Sequence, residues 1–365
     1  MFKHLIVDAH EDLAYNALIL GRDYSRSMAG TRRLERGLPF LSQRDNTLLG
    51  WPEYQKGQVA LIFSTLFAIP AKHLSEISRK ASYCDFDEAR QVCLRQMDIY
   101  QRMVDEHPDK FDLISTTPEL DMLLGKWKEP DAKRTHPVGL VILMEGAEGI
   151  RNPDELAEWW SLGLRIIGLA WTGTRFCGGW LEPGPLTNEG RELLKKMADF
   201  NFTLDLSHMD EEAAIQSLEL YPGPIIASHS NVEALLPNAP DNRHLSNFVI
   251  QGIIERDGII GVVPCNEFLQ PAWKKQDGRQ DVSLSHLVAH IDYICQVAGD
   301  ARHVGLGTDF DGGFGLESVP NEVDSIADLQ KLPPLLEARG FSETNITAIL
   351  GENFINHLKN SLPKS

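Results

Sequence analysis

Three histidines and three carboxylates stand in this sequence where they can do chemistry together. His10 and Asp12 lie two residues apart in VDAHEDL, directly after the apolar run 5–7. Glu145 follows VILM, His208 falls in LDLSHMD, His229 in IIASHSN and Asp309 in GLGTDFDG. Imidazole nitrogens and carboxylate oxygens are donors that zinc and similar divalent ions accept. One carboxylate can bridge two ions held roughly 3.5–4 Å apart, with a shared hydroxide as nucleophile. The spacing of His10 and Asp12 suits such a site, because residues two apart on an extended segment face the same way. A further carboxylate beside that water can move protons between nucleophile and leaving group.

Taken singly, each residue has an ordinary reading. A histidine after a strand is more often hydrogen-bonded or exposed than a ligand, and Asp12 alone suits a turn or a cap. Glu145, beside Gly146, reads as a loop acid, and Asp309 in TDFDG as a turn residue. The other histidines are read as ordinary. His286 and His290 are spaced i, i+4, but the Glu of an H-E-x-x-H motif is missing between them. The conjunction changes the reading, and it depends on the elements that must position these groups.

Eight short apolar runs recur along the chain, at 5–7, 59–67, 138–144, 164–170, 202–207, 224–228, 258–264 and 303–307. They are near-continuous rather than alternating, as expected of strands buried on both faces of a parallel sheet. Helical patterns separate them at 86–107, 188–200, 210–220, 284–299 and 342–360. Asp210 is placed to cap the helix that follows the fifth run. Strand–helix alternation over eight units predicts an α/β fold, a (β/α)8 TIM-type barrel. The whole of 1–365 reads as a single barrel domain, with a long polar loop at 14–57 and a helical insertion at about 68–137. His10, Asp12, Glu145, His208, His229 and Asp309 then all fall at C-terminal strand ends, the face where such barrels gather their active sites.

Bulk properties narrow the class. In 365 residues, 42% are hydrophobic and 24% charged, which describes a globular chain. A formal net charge of −17 repels phosphate backbones and argues against nucleic acid as a partner. Five widely spaced cysteines without a CxxC pair make neither a disulfide framework nor a zinc ribbon. They read as free thiols of a reducing compartment. No run approaches the ~18 apolar residues of a membrane span. MFKHLIVDAHED lacks a signal-peptide core. The chain is therefore expected to be cytoplasmic, with no membrane partner.

In order, DAHEDL, VILMEGAEGI, LGLRIIGLAW, LDLSHMD, IIASHSN, RHLSN, VGLGTDFDG and ILGENF resemble the membrane dipeptidase (renal dipeptidase) family over nearly the whole chain. The resemblance implies a metal-dependent hydrolase barrel that cleaves dipeptides with a free C-terminal carboxylate at two divalent ions, typically zinc, often as a homodimer. It assigns His10 and Asp12 to one metal, Glu145 to the bridge, and His208 and His229 to the second metal. Asp309 becomes the proton shuttle. Arg243, which on its residue type alone reads as a surface arginine, becomes the holder of the substrate carboxylate, a task that suits a bidentate guanidinium. Two positions depart from the family. Trp171, in LAWTGTR, stands where a substrate-contacting His is usual, and Cys265 and Asn266 stand near the place of a substrate-contacting Tyr. Trp171 is thus a substrate contact of a different kind. An alternative substrate, another small amide, lactone or ester at the same metals, follows from that departure.

Overall fold

The computed structural model describes residues 4–42, 45–128, 135–237, 239 and 241–364. Eight parallel strands form the barrel: β1 Ile6–Glu11, β2 Val59–Phe67, β3 Val138–Glu145, β4 Leu164–Gly168, β5 Thr203–Asp205, β6 Ile225–Ala227, β7 Ile259–Val262 and β8 Val304–Leu306. Each pairs with its sequence neighbours. β1 closes against β8 through Asp8 and Leu306, and β2 runs beside β3 from Leu61–Gly139 to Phe67–Glu145. Every residue of β1, β2 and β3 is buried. This is why those runs show no period-two alternation.

The helices lie where the sequence periodicity puts them. Phe86–Glu106 starts at Asp85, whose side chain accepts from the Glu88 N–H, and buries Ala89, Val92, Cys93, Gln96, Met97 and Tyr100 at three- and four-residue steps. Asn188–Phe200 is capped by Thr187, and Glu211–Leu220 by Asp210. Leu284–Ala298 matches the fourth pattern. The predicted helix at 342–360 runs from Glu343 to Ser361 through a π turn at Ala348–Glu352. There a Cβ on Gly351 would meet the Leu5 carbonyl at 2.8 Å, so the glycine lets this turn press against β1.

One expectation fails. The segment 14–57 is not a polar loop: it holds the helices Leu13–Leu20, Met28–Glu35 and Trp51–Gly57. Leu13–Leu20 follows Asp12, a cap-type residue whose side chain makes no capping bond, and has no first-turn acid, so its start carries only a weak sequence signal. Met28–Glu35 is capped by Ser27, whose side chain accepts from the Gly30 N–H, and is held by tertiary contacts. Arg22 donates to Glu35 at 2.8 Å and pairs with Asp311 at 2.9 Å, and Asp311 also accepts from Tyr24. Within 68–137 lie the helix Phe86–Glu106, the short strand Phe111–Leu113 beside the start of β3, and the helix Thr117–Trp127; residues 129–134 fall outside the described ones. No disulfide forms among the described residues. Four cysteines are buried, and Cys84 is exposed. No helix among the described residues is long and apolar enough to cross a membrane.

Candidate metal centre

The polar strand ends converge. His10 lies within β1 and Asp12 just after it, Glu145 ends β3, and His208, His229 and Asp309 follow β5, β6 and β8. Glu145 Oε1 stands 3.0 Å from His208 Nε2, 3.3 Å from His229 Nε2 and 3.8 Å from His10 Nε2. Asp309 Oδ1 is 3.9 Å from His10 Nε2. Two donor groups result, His10–Asp12–Glu145 and Glu145–His208–His229, each with its atoms within 4.8 Å of one another and Glu145 common to both.

Backbone geometry places two of these groups. His208 and Asp309 both adopt the left-handed conformation, with φ of 66° and 55°. Residues other than glycine take it rarely, and it persists where the surroundings over-determine it. At Asp309 the surroundings are explicit. Thr308 donates its N–H to Asp8 at 2.7 Å, and Asp309 donates its own N–H to the His10 carbonyl at 3.1 Å. A Cβ on Gly312 would strike Asp309 Oδ1 at 1.8 Å, so only glycine leaves room for that carboxylate.

A layer of hydrogen bonds fixes the rings. Asp205, on β5, accepts from the Ser207 and Ser228 N–H groups and from Ser228 Oγ. With its proton given to Asp205, Ser228 Oγ accepts from His229 Nδ1 at 2.8 Å, and His10 Nδ1 lies 3.4 Å away. Nδ1 of His229 therefore carries the hydrogen, and its Nε2 lone pair faces Glu145. Thr65 Oγ1 meets Asp12 Oδ1, and Tyr100 donates to the Thr65 carbonyl. Asp205 also approaches His10 and His229 as a third donor group. Its oxygens are already engaged, so it acts here as a positioning residue.

Charge is unbalanced at this point. Burial first, then the Asp12 and Asp309 charges, push Glu145 well above its ordinary range. Burial and Asp12 do the same to Asp309. Burial, helped by Arg243, lowers His10 to about 3 and holds His208 and His229 far below their ordinary value. The imidazoles are thus neutral lone-pair donors, and His10 Nε2 is buried with no hydrogen-bond partner among the described residues. Buried carboxylates among neutral rings call for a cation. Arg243 is the guanidinium whose charge acts on both Glu145 and Asp309. The donor set fits divalent metal.

Arg243 is buried, which corrects its reading as a surface residue. It donates to the His229 carbonyl at 2.7 Å and to Ser230 Oγ at 3.2 Å, and its guanidinium lies 5.4 Å from the Phe268 ring centre. Its Nε has no partner among the described residues. Arg243 lines a cavity of about 560 Å³ with Asp12, Glu145, His208 and Asp309 at its floor and Trp171 in its wall. The volume falls within the range of small-molecule sites. Cys265 also lines this cavity, whereas Asn266 is fully buried.

A model of the membrane dipeptidase family, peptidase family M19, matches residues 1–361. The chain belongs to this family. It is a metallo-dipeptidase with a (β/α)8 barrel. The dipeptidase is 32% identical to an uncharacterised protein from the pqqA 5′ region of Klebsiella pneumoniae over 61% of this chain and 82% of that one. It is 26% identical to an uncharacterised dipeptidase of Schizosaccharomyces pombe over 96% of this chain and 79% of that one. Its fold matches a Rhodobacter sphaeroides metallopeptidase liganded with a phosphinate mimic of L-Ala-D-Ala, with a TM-score of 0.78 at 22% identity over 99% and 100% of the two chains. It also matches a probable dipeptidase, PvdM, from Pseudomonas aeruginosa, at 0.77 and 19% over 99% and 96%.

Sequence reasoning passed over Asp205, Ser228, Thr65 and Trp180. Asp205 carried a signal, being a lone acid inside the apolar run 202–207. Ser228 and Thr65 carried none, because small hydroxyl residues are common in strands.

Proposed function

We propose that this dipeptidase hydrolyses dipeptides with a free C-terminal carboxylate at a binuclear centre. His10 and Asp12 would hold one ion and His208 and His229 the other, with the Glu145 carboxylate common to both donor groups. The observation that carries this reading is the pair of donor groups sharing Glu145, with Arg243 and Asp309 at the same cavity. Zinc suits the mixed nitrogen and oxygen donors. Bound there, the ions supply positive charge that polarises a carbonyl and acidifies water.

The chain's own residues do the rest. Arg243 takes the substrate carboxylate and sets its register, and the buried position strengthens that pairing. Asp309, held above its ordinary pKa, accepts a proton from the attacking water and passes it to the departing amine. Ser228 and Asp205 keep the His229 lone pair aimed at the centre. The cavity walls, Trp171 among them, exclude water around the scissile bond. Family membership favours this substrate over another small amide, lactone or ester, and the L-Ala-D-Ala mimic bound by the Rhodobacter protein supports a ligand of dipeptide size. We also read 1–365 as one domain, supported by a single main core cluster, in a cytoplasmic homodimer.

The test is turnover of a dipeptide library by zinc-loaded protein, with metal counted in the same sample. Hydrolysis with two ions per chain is expected. Absence of turnover for every L,L and L,D dipeptide would remove the substrate assignment.

A further inference from the structure

An unbroken aromatic wall runs along one side of the cavity. Tyr15 and Phe67 have ring centres 5.2 Å apart, Phe67 and Trp171 5.2 Å, and Trp171 and Trp180 5.5 Å. The wall ends at His208, whose ring centre is 6.4 Å from Trp171 and 6.2 Å from Trp180. Tyr15, Phe67, Trp171 and Trp180 all line the cavity, as does Ile69.

The wall is built to keep its shape. Tyr15, Phe67 and Ile69 form a hydrophobic cluster separate from the main core, closed by Ala81 and Val92, with Trp171 packed against it. Val92 belongs to the helix Phe86–Glu106, so the segment after β2 buttresses the wall. The end of β2 is pinned as well. Gln96 accepts from the Phe67 N–H at 3.0 Å and donates to the Phe67 carbonyl.

The barrel order fixes which part of a substrate meets this wall. In a closed ring of eight strands, β2 stands opposite β6 and β3 opposite β7. Arg243 lies between β6 and β7 and is bonded to the His229 carbonyl, and Phe268 follows β7. Phe67 ends β2, and Trp171 and Trp180 follow β4. Glu145 ends β3, on the side of the wall, and its carboxylate reaches to 3.3 Å from His229 Nε2 after β6 and 3.0 Å from His208 Nε2, so the donor groups lie between the wall and Arg243. A dipeptide anchored by its carboxylate at Arg243 therefore crosses the centre with its amine-side residue directed at the aromatic wall.

We infer that Tyr15, Phe67, Ile69, Trp171 and Trp180 form a preformed subsite that selects dipeptides whose N-terminal residue is large and apolar, aromatic above all. This rests on the proposed dipeptidase reading and on the role of Arg243 within it. Apolar area removed from water and edge-to-face ring contacts both favour such a residue over glycine. The rigid backing lets the gain appear as selectivity rather than as reordering of the wall.

The test is kcat/KM of the metal-loaded enzyme on two series, Xaa-Ala and Ala-Xaa, with Xaa as Gly, Leu, Phe and Trp and with both stereochemistries at the second residue. In the first series the ratio of Phe-Ala to Gly-Ala is expected to reach roughly tenfold to a few hundredfold, the range open to apolar pockets. The Ala-Xaa series should show a much weaker trend. In Trp171→Ala the Phe-Ala to Gly-Ala ratio should fall toward one, and Trp171→Phe should keep most of it. A flat Xaa-Ala profile, or a stronger trend in Ala-Xaa, overturns the subsite. So does an unchanged ratio in Trp171→Ala. If Trp171→Ala does not fold, the wild-type series and Trp171→Phe still decide. Turnover with a flat profile refutes the subsite alone, whereas no turnover of any dipeptide refutes the reading beneath it as well.

Discussion

The Nε2 atoms of His208 and His229 lie 2.8 Å apart. Two imidazole lone pairs do not approach so closely without a proton or a cation between them. His229 carries its hydrogen on Nδ1, toward Ser228, so without a metal the neutral His208 donates its Nε2 hydrogen to the His229 Nε2 lone pair. With that hydrogen on His208 Nδ1, which has no partner among the described residues, both Nε2 lone pairs face a cation. The pair is thus poised for a metal.

Removal of metal should therefore silence the enzyme and loosen it. Exhaustive chelation is expected to abolish dipeptide hydrolysis and lower the melting temperature, and zinc should restore both. Saturating metal at 1,000 times its Kd stabilises by about 4 kcal/mol. His208→Ala should leave fewer than two ions per chain by elemental analysis. Full activity after chelation would contradict the assignment.

Asp309 supplies a sharper test, because its proposed work is proton transfer. Asp309→Asn keeps the shape that Gly312 accommodates and removes the titrating oxygen. Its kcat should fall roughly 10²- to 10⁴-fold. Metal content and circular dichroism should match the parent. A variant within threefold of wild type would show that Asp309 moves no proton.

Asp205→Asn addresses the layer behind the proposed ligands. It removes the charge that takes the Ser228 hydroxyl proton and so leaves the His229 tautomer unfixed. Metal affinity should drop about tenfold to a hundredfold, as for other outer partners of ligating histidines. Competition with a chromophoric chelator measures it, and unaltered affinity would assign Asp205 to folding alone.

His290 predicts the acid limb of stability. It is buried and accepts the Val232 N–H at Nδ1, and burial, helped by His286, lowers its pKa from 6.5 to about 4. In the unfolded chain it gains a proton near pH 6.5, whereas in the folded chain it stays neutral until about pH 4. The unfolded state therefore binds more protons across that window, and stability must fall as pH drops through it. At ~1.4 kcal/mol per pH unit, the loss reaches roughly 3 kcal/mol. His290→Asn, whose Oδ1 can take the place of Nδ1, should flatten the decline in denaturant titrations between pH 7 and 4. An unchanged slope would place the acid sensitivity elsewhere.

The sequence alone determined the eight strands, because each is buried on both faces and so reads as a continuous apolar run. It also determined that His10, Asp12, Glu145, His208, His229 and Asp309 share the C-terminal face, since that follows from parallel strand order. Helices with a capping residue and an apolar stripe, such as Glu211–Leu220 behind Asp210, were legible for the same local reason. Tertiary structure decided what depends on groups far apart in the chain. The helices Leu13–Leu20 and Met28–Glu35 start at single cap-type residues, Asp12 and Ser27, too little to mark them alone, and this segment is held by Arg22, Glu35 and Asp311 across nearly 300 positions. Arg243 looked like a surface residue until β6 and β7 closed around it. The left-handed backbone of His208 and Asp309 exists only because contacts such as Asp8 with Thr308 outweigh local strain. Trp171 acquired a meaning in the same way. No spacing in the chain links Tyr15, Phe67, Trp171 and Trp180, and closing the barrel is what brings their rings into one wall.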